Sequence, residues 1–247
     1  MDESLYHKFY EQEEDHWWFA ARSAIVQRII RSYGNVQPGE TVLDIGCGTG
    51  AILKALSATY DVVGLDTSPL AIEYSRKRGL TNVLQMPVHE FPRERFNVRT
   101  AILLDVIEHI DDDVAVLTAA RRIVEPEGRV IVTVPAHMWL WNAHDVVNQH
   151  KRRYSKASLK AVIDRAGLDT VRITFYNTLL FPMVAVRKLI DRARSATASH
   201  VSDTLPNPAL NSVLKAIFAS EKYLLPSMNL PFGISLLAVA KPRRLQK

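Results

Sequence analysis

The sequence predicts an α/β fold built on a doubly wound parallel sheet, and three observations carry the prediction. From residue 40 onward, short apolar runs rich in β-branched residues alternate with amphipathic helical segments, the pattern of strands joined by crossover helices. The run from Thr41 to Ile45 breaks into Gly46-Cys47-Gly48-Thr49-Gly50, a buried strand turning tightly into a helix. With 247 residues, 47% hydrophobic and 23% charged, the chain can bury such a sheet on both faces.

The elements follow in order. Residues 1–35 read as an N-terminal helical cap, with Trp18, Arg22, Ile25 and Ile29 on one face at helical spacing. Strands are predicted at 41–45, 61–65, 82–85, 100–104, 128–134, 168–175 and 234–240, and helices at 50–58, 69–78, 112–124 and 156–166. Ser68-Pro69 and Ser155 are start signals, while Gly79 and Gly167 fit helix C-caps. The core is therefore 36–175 plus 232–247. Residues 176–231 stand outside the alternation. They hold an apolar stretch from Leu179 to Val186, a small-residue linker from Ser195 to Ser202, and a helix opened by Asn207-Pro208 with Leu210, Val213, Leu214, Ile217 and Phe218 on one stripe. An insertion of that size beside strand ends is expected to form a lid or substrate wall.

Several classes are excluded. The acidic start lacks the basic and apolar regions of a signal peptide, and no apolar run reaches the roughly 18 residues of a membrane span. Cys47 is the single cysteine, which rules out an internal disulfide or a thiolate metal cluster. A cytoplasmic protein is expected, soluble or peripheral at the inner membrane face. The formal charge of +5 is bunched at 151–153, 187–194 and 241–247. Each cluster reads either as solvated surface or as a contact for phosphates or an anionic membrane.

The glycine turn points to a nucleotide-like ligand, since it permits positive φ and close backbone approach. The spacing is Gly-x-Gly-x-Gly, and Asp44 precedes it by two residues. A carboxylate there repels a pyrophosphate and suits a ligand bearing an ammonium group. Asp66, closing the second strand, can accept both hydroxyls of a ribose.

With these pieces placed, the chain resembles the class I S-adenosylmethionine-dependent methyltransferases. The resemblance covers about 40–175 and the final strand, and rests on Val-Leu-Asp-Ile-Gly-Cys-Gly-Thr-Gly, Val-Val-Gly-Leu-Asp-Thr-Ser, Ala-Ile-Leu-Leu-Asp-Val-Ile-Glu-His-Ile and Pro-Glu-Gly-Arg-Val-Ile-Val-Thr-Val-Pro in that order. It implies a Rossmann-like, seven-stranded, mostly parallel sheet whose last strand is antiparallel. By the resemblance Gly46, Gly48 and Gly50 line the methionine half of the cofactor, Asp66 binds the ribose, and Thr67 and Leu104 lie beside it. After the third strand similar enzymes often hold adenine with an acid. This chain reads Leu84-Gln85-Met86-Pro87-Val88 there, so adenine is expected to rest on Met86. His16-Trp17-Trp18-Phe19 with Arg22 resembles a segment ahead of the core in bacterial methyltransferases of this type. Trp18 and Arg22 form either a flap over the sulfonium, favoured by cation–π attraction, or a clamp that docks the helix on the sheet.

For the methyl acceptor, two routes are visible. Asp105, Glu108 and His109 follow the fourth strand at i, i+3 and i+4, the spacing that a single helical turn gathers, and His150 lies beyond the fifth strand. Together they could hold Mg²⁺, Mn²⁺ or Zn²⁺ with a position left for a substrate oxygen. The set is similar to the Glu-x-x-Glu-His plus distant His of metal-assisted O-methyltransferases acting on ubiquinone precursors and small-RNA 3′ ends, with Asp105 in place of the first Glu. Without a metal, His144, Asp145 and His150 are the candidate bases, with Asp105 a further catalytic carboxylate. Arg152, Arg153 and Tyr154 either clamp a phosphate or carboxylate or form salt bridges.

The expected function is O-methylation of a glycan, glycolipid or specialised metabolite, the partner being a small molecule or a lipid-linked glycan. The alternatives are an RNA methyltransferase, disfavoured because no RNA-binding module is visible, and a non-catalytic cofactor-binding protein at a membrane surface.

Overall fold

The computed structural model describes residues 3–193 and 206–244. The strands are β1 (Thr41–Ile45), β2 (Asp61–Asp66), β3 (Val83–Gln85), β4 (Val98–Leu104), β5 (Arg129–Pro135), β6 (Leu168–Tyr176) and β7 (Ser235–Pro242). They form one sheet in the order β3-β2-β1-β4-β5-β7-β6. The first five are parallel, and β7 enters between β5 and β6 antiparallel to both. The sheet is thus the mostly parallel, seven-stranded Rossmann-like one expected. Because the chain builds outward from β1 in one direction to β3 and then restarts on its other side with β4, a crevice opens at the carboxyl ends of β1 and β4. The glycine turn after β1 and Asp105 after β4 both lie there.

Side-chain alternation divides the core. On β4, Ala101 and Leu103 join a cluster with Val63, Val132, Leu117, Leu159 and Ile163, while Ile102 and Leu104 face the opposite layer. The first layer is built by α5 (Asp113–Ile123), capped by Asp112, and α7 (Lys156–Arg165), capped by Ser155. Two further helices, α3 (Ala51–Leu56) and α4 (Pro69–Lys77), flank the β1–β3 half, with Ser68 capping α4 as its Ser-Pro start implies. The short α6 (Ala143–Val147), held by an Asn142–Asp145 capping box, was not anticipated.

The flanking segments are helical, as expected. The N-terminal helices are α1 (Glu3–Gln12) and α2 (Trp17–Tyr33), and the insertion contributes α8 (Phe181–Ala193) and α9 (Pro208–Leu224). Ile25, Ile29 and Ile30 of α2 and Phe218 of α9 pack together over Val42, Ile102, Ile131 and Leu237, and Trp17 N donates to Asn211 Oδ1 at 2.9 Å. These two helices complete one face of the sheet. Lifting α2 would expose three isoleucines that are 0% exposed, at about 2 kcal/mol each, so α2 is a fixed layer of the core. Leu214 and Phe218 of the predicted α9 stripe turn inward, but Leu210, Val213 and Ile217 remain exposed. Glu221, fully buried, accepts from the backbone N–H groups of Asn177 (2.7 Å), Thr178 (2.6 Å) and Leu179 (2.8 Å). It thereby fixes the exit from β6 toward α8. The linker predicted at 195–202 and residues 245–247, with Lys247 of the last basic cluster, lie outside the described residues. Among the described residues no helix is long and apolar enough to cross a membrane.

Candidate active site

The cofactor turn is held by its neighbours. Gly46 N and Cys47 N both donate to Leu65 O, at 2.7 and 3.0 Å. Asp66 binds the turn directly, accepting from Gly48 N at 3.0 Å and, through its other oxygen, from Ser68 N at 2.9 Å. Burial nonetheless raises its pKa, against the pull of these backbone donors. Gly48 has φ +54°, and an added Cβ there would meet nothing within 4 Å, so its backbone faces open space that a ligand can enter. Gly50 has φ +81° and would drive a Cβ to 2.7 Å from Ser75 Oγ. Met86 N donates to Asp66 O at 3.1 Å, which sets the residue expected beneath adenine next to the carboxylate expected at the ribose. Thr67 is exposed beside it, and Leu104 is buried at the end of β4.

Asp44 is buried with its Oδ1 lacking any partner. Burial pushes its carboxyl up to about 7, Arg22 opposes the shift, and Asp66 and Glu13 add to it. Arg22 reaches from α2 to pair with Asp105, lies with its guanidinium 4.5 Å over the Trp18 ring, and leaves its buried Nε without a partner. A cavity of about 250 Å³ opens between α2 and the start of α3, lined by Glu13, Phe19, Arg22, Ala51 and Ile52. An orphaned carboxylate oxygen, an orphaned guanidinium nitrogen and an open glycine backbone fit a ligand that carries an amine, a carboxylate and a ribose.

Sequence reasoning missed what straps α1 across this turn. Arg78, just past α4, donates to Thr49 O (2.9 Å), Tyr10 O (2.8 Å) and Glu14 Oε1 (2.5 Å) and lies 4.5 Å from the Tyr10 ring centroid. Glu13 accepts from the Thr49 hydroxyl.

On the acceptor side, Glu108, His109 and His150 place one ligand atom each within 4.8 Å of one another. A 3₁₀ turn, Ile107–His109, presents the first two. Glu108 is fully buried and neither carboxylate oxygen has a hydrogen-bond partner. Burial pushes its pKa well above the usual range, with Asp105 adding to the shift. His109 is pushed down to about 4 by burial and by His150, so its ring is neutral at pH 7 and able to ligate. His150 Nδ1 lies 2.9 Å from Asp145 Oδ1. Beside a carboxylate that nitrogen carries the proton, which leaves Nε2 as the ligand atom, the arrangement that orients metal-binding imidazoles. Burial disfavours ionisation of Asp145, but hydrogen bonds from His150 and Arg153 outweigh it and hold the carboxyl well below the usual range.

The decisive comparison is with family models, where residues 16–173 match one described as a methyltransferase domain. The chain belongs to the class I S-adenosylmethionine-dependent methyltransferases. Among curated relatives of this family, it is 24% identical over 160 residues to a probable S-adenosylmethionine-dependent methyltransferase of Mycolicibacterium smegmatis, covering 63% of this chain and 61% of that protein. It is 31% identical over 102 residues to the ubiquinone biosynthesis O-methyltransferase of Acinetobacter baumannii, covering 37% of this chain and 42% of that one. The chain spans between 35% and 61% of the length of the first curated relatives it matches. In fold it is similar to a chain from the complex between the Haloferax volcanii Trm112 methyltransferase activator and its methyltransferase, with a TM-score of 0.62, 18% identity, and 99% and 96% of the two chains covered.

Within this methyltransferase frame several sequence-predicted residues fall elsewhere than expected. Asp105 does not join Glu108, His109 and His150. Its φ is +58°, the turn begins only at Ile107, and its carboxylate is engaged by Arg22 and by the Thr133 hydroxyl at 3.2 Å. It is therefore neither a member of the metal cluster nor a base open to an acceptor. Trp18 lies under the Arg22 guanidinium, and Trp17 packs on Phe218 at 6.1 Å between centroids. Arg153 grips Asp145 through Nε and Nη2 at 2.7 and 2.8 Å, Arg152 pairs with Asp113 at 3.2 Å, and Tyr154 donates to Asp113 at 2.8 Å. Lys151 pairs with Asp111. The basic run 151–153 is thus committed to internal salt bridges, which removes its argument for phosphate or nucleic acid. His144 is exposed, its ring 6.4 Å from that of His150.

One pH effect follows from Asp44. An acid whose folded pKa is raised favours the folded, ligand-free protein below its ordinary pKa, and that share is lost as pH rises toward 7. A ligand ammonium needs the carboxylate, so binding below pH 7 must expel a proton. S-adenosylmethionine affinity is expected to fall roughly tenfold between pH 7.5 and pH 6. In Asp44→Asn calorimetry should give a weaker affinity that is flat across this window; a slope as steep as the parent's would place the titrating group elsewhere.

Proposed function

We propose that the chain catalyses methyl transfer from S-adenosylmethionine to a hydroxyl oxygen of a glycan, glycolipid or specialised metabolite, assisted by a divalent metal. The observation that carries the metal is the Glu108 carboxylate, buried with both oxygens unpartnered beside two imidazoles. An anion so placed is costly unless a cation joins it. Glu108, His109 and His150 would hold the ion, Asp145 fixing the third. When bound, it would lower the pKa of an acceptor hydroxyl and orient it.

For the cofactor, Asp66 receives the ribose hydroxyls, Asp44 the amino group and Arg22, through its unpartnered Nε, the carboxylate. The Gly46–Gly50 backbone lets the methionine half lie flat against the turn. In the transfer the acceptor oxygen bonds to the methyl carbon as the carbon–sulfur bond breaks in line, and the acceptor proton passes to a base. His144, at the exposed rim, is the residue assigned to take it. Asp145 is too weak a base because it stays ionised against Arg153 and His150.

The test supplies methyl-labelled S-adenosylmethionine with Mg²⁺, Mn²⁺ or Zn²⁺ to glycan and lipid-extractable fractions of bacterial cells. Label is expected in acid-stable methyl ethers. Label found only in amine or carbon-bound methyl groups would overturn the oxygen assignment.

A further inference from the structure

The loop after β5 and the helix α8 share a surface that the catalytic reading leaves unused. Met183, Val186 and Ile190 recur at i, i+3 and i+7 on α8, and Leu189 widens the stripe. All are exposed, from 44% to 61%. The opposite side of α8 is the packed one. Phe181 lies 6.1 Å from Trp139 and 5.5 Å from Phe232 between ring centroids, and Lys188 Nζ donates to Trp141 O at 2.5 Å. These contacts join α8 to the loop, where Met138 and Trp139 are also exposed, at 56% and 45%. The helix and the loop, held together, thus each present exposed apolar side chains, Trp139 among them.

The charge of this surface is net basic. Among the described side chains of 137–150 and 179–190, the one acid, Asp145, is buried and gripped by Arg153, while Arg187 and Lys188 lie on the helix. An apolar stripe with tryptophan at its border, on a segment whose sequence across 179–194 sets Arg187, Lys188, Arg192 and Arg194 against Asp191, matches the interface of an anionic bilayer, where rings and aliphatic groups enter the headgroup boundary and cations meet lipid phosphates. A protein partner would more often supply and demand charges of both signs. We infer that α8 and the Met138–Trp139 edge dock this protein on an anionic lipid surface. The same loop carries His144, Asp145 and His150, so the docked face adjoins the acceptor cluster and the acceptor is lipid-anchored. That last consequence rests on the methyl transfer proposed above, whereas the docking does not.

Flotation of the full chain with vesicles of phosphatidylcholine alone, and with about one-third phosphatidylglycerol, reads the docking without turnover. The chain should float with the anionic vesicles only and be released by high salt. Val186→Asp/Ile190→Asp should reduce the floated fraction at least about tenfold. The exposed positions should leave the melting temperature of this variant unchanged. Failure to float at low salt, equal binding to both vesicles, or undiminished binding of the variant would overturn the proposal. So would a dimer in lipid-free solution that the two substitutions dissociate, because the face then belongs to a second copy. Absence of docking by the parent chain while it methylates a soluble acceptor would refute this inference alone, and docking without any methyl transfer would refute the proposed function alone.

Discussion

Asp66→Ala is expected to weaken S-adenosylmethionine binding by at least about a hundredfold. Two hydroxyl-to-carboxylate hydrogen bonds, each worth about 1.5–3 kcal/mol, account for that loss. The carboxylate also accepts from Gly48 N and Ser68 N, so the substitution loosens the turn that receives the methionine half. Gly48→Val reaches the same end differently. It forces a β-branched residue to φ +54° and fills the open space beside the backbone, with Asp66 intact. Calorimetry on both variants, with circular dichroism to check folding, decides the matter. Affinity within threefold of the parent in Asp66→Ala would remove the ribose from this carboxylate.

Glu108→Gln is expected to lower turnover about 10²–10⁴-fold with cofactor affinity unchanged. The amide keeps the size of the side chain and removes the charge that a divalent ion requires. Because the carboxylate has no hydrogen-bond partner to lose, the melting temperature of the metal-free protein should stay level or rise, which separates a functional loss from a folding defect. Chelation of the parent should reproduce the variant, and His109→Ala should mimic it. Full turnover in excess chelator would eliminate the metal and leave His144 to act on the acceptor unaided.

How much of this was legible in sequence depends on range. Asp44, the three glycines and Asp66 were legible because a strand, a turn and a helix start are local, and their spacing alone fixes which groups meet. Glu108, His109 and His150 were gathered as the residue types implied, but Asp105 was placed by assuming a helical turn from 105 to 109. The 3₁₀ turn starts at Ile107, and the positive φ of Asp105 swings its carboxylate to Arg22. The strap through Arg78 was invisible, since Tyr10 on α1 and Glu14 just past it lie 68 and 64 residues away and nothing in a lone helix-end arginine names them. Periodicity likewise gave α2 and α9 their apolar stripes, but a stripe does not say what it will meet. That they meet each other over the sheet is a property of the assembled layer.

The strand β7 has a consequence for how the molecule comes into being. It joins β5 to β6, pairing with both, so the outer edge of β5, already paired to β4 on its other side, stays open and β6 stays apart from the sheet until residues 235–242 have arrived. On a ribosome the cofactor half, β1 to β4, can settle as soon as it emerges, whereas the acceptor half keeps two open strand edges until β7 is released. Such long-range pairing is the slow part of folding. The order of synthesis therefore separates the two halves in time: the site for the methyl donor matures first, and the wall beside the acceptor closes last.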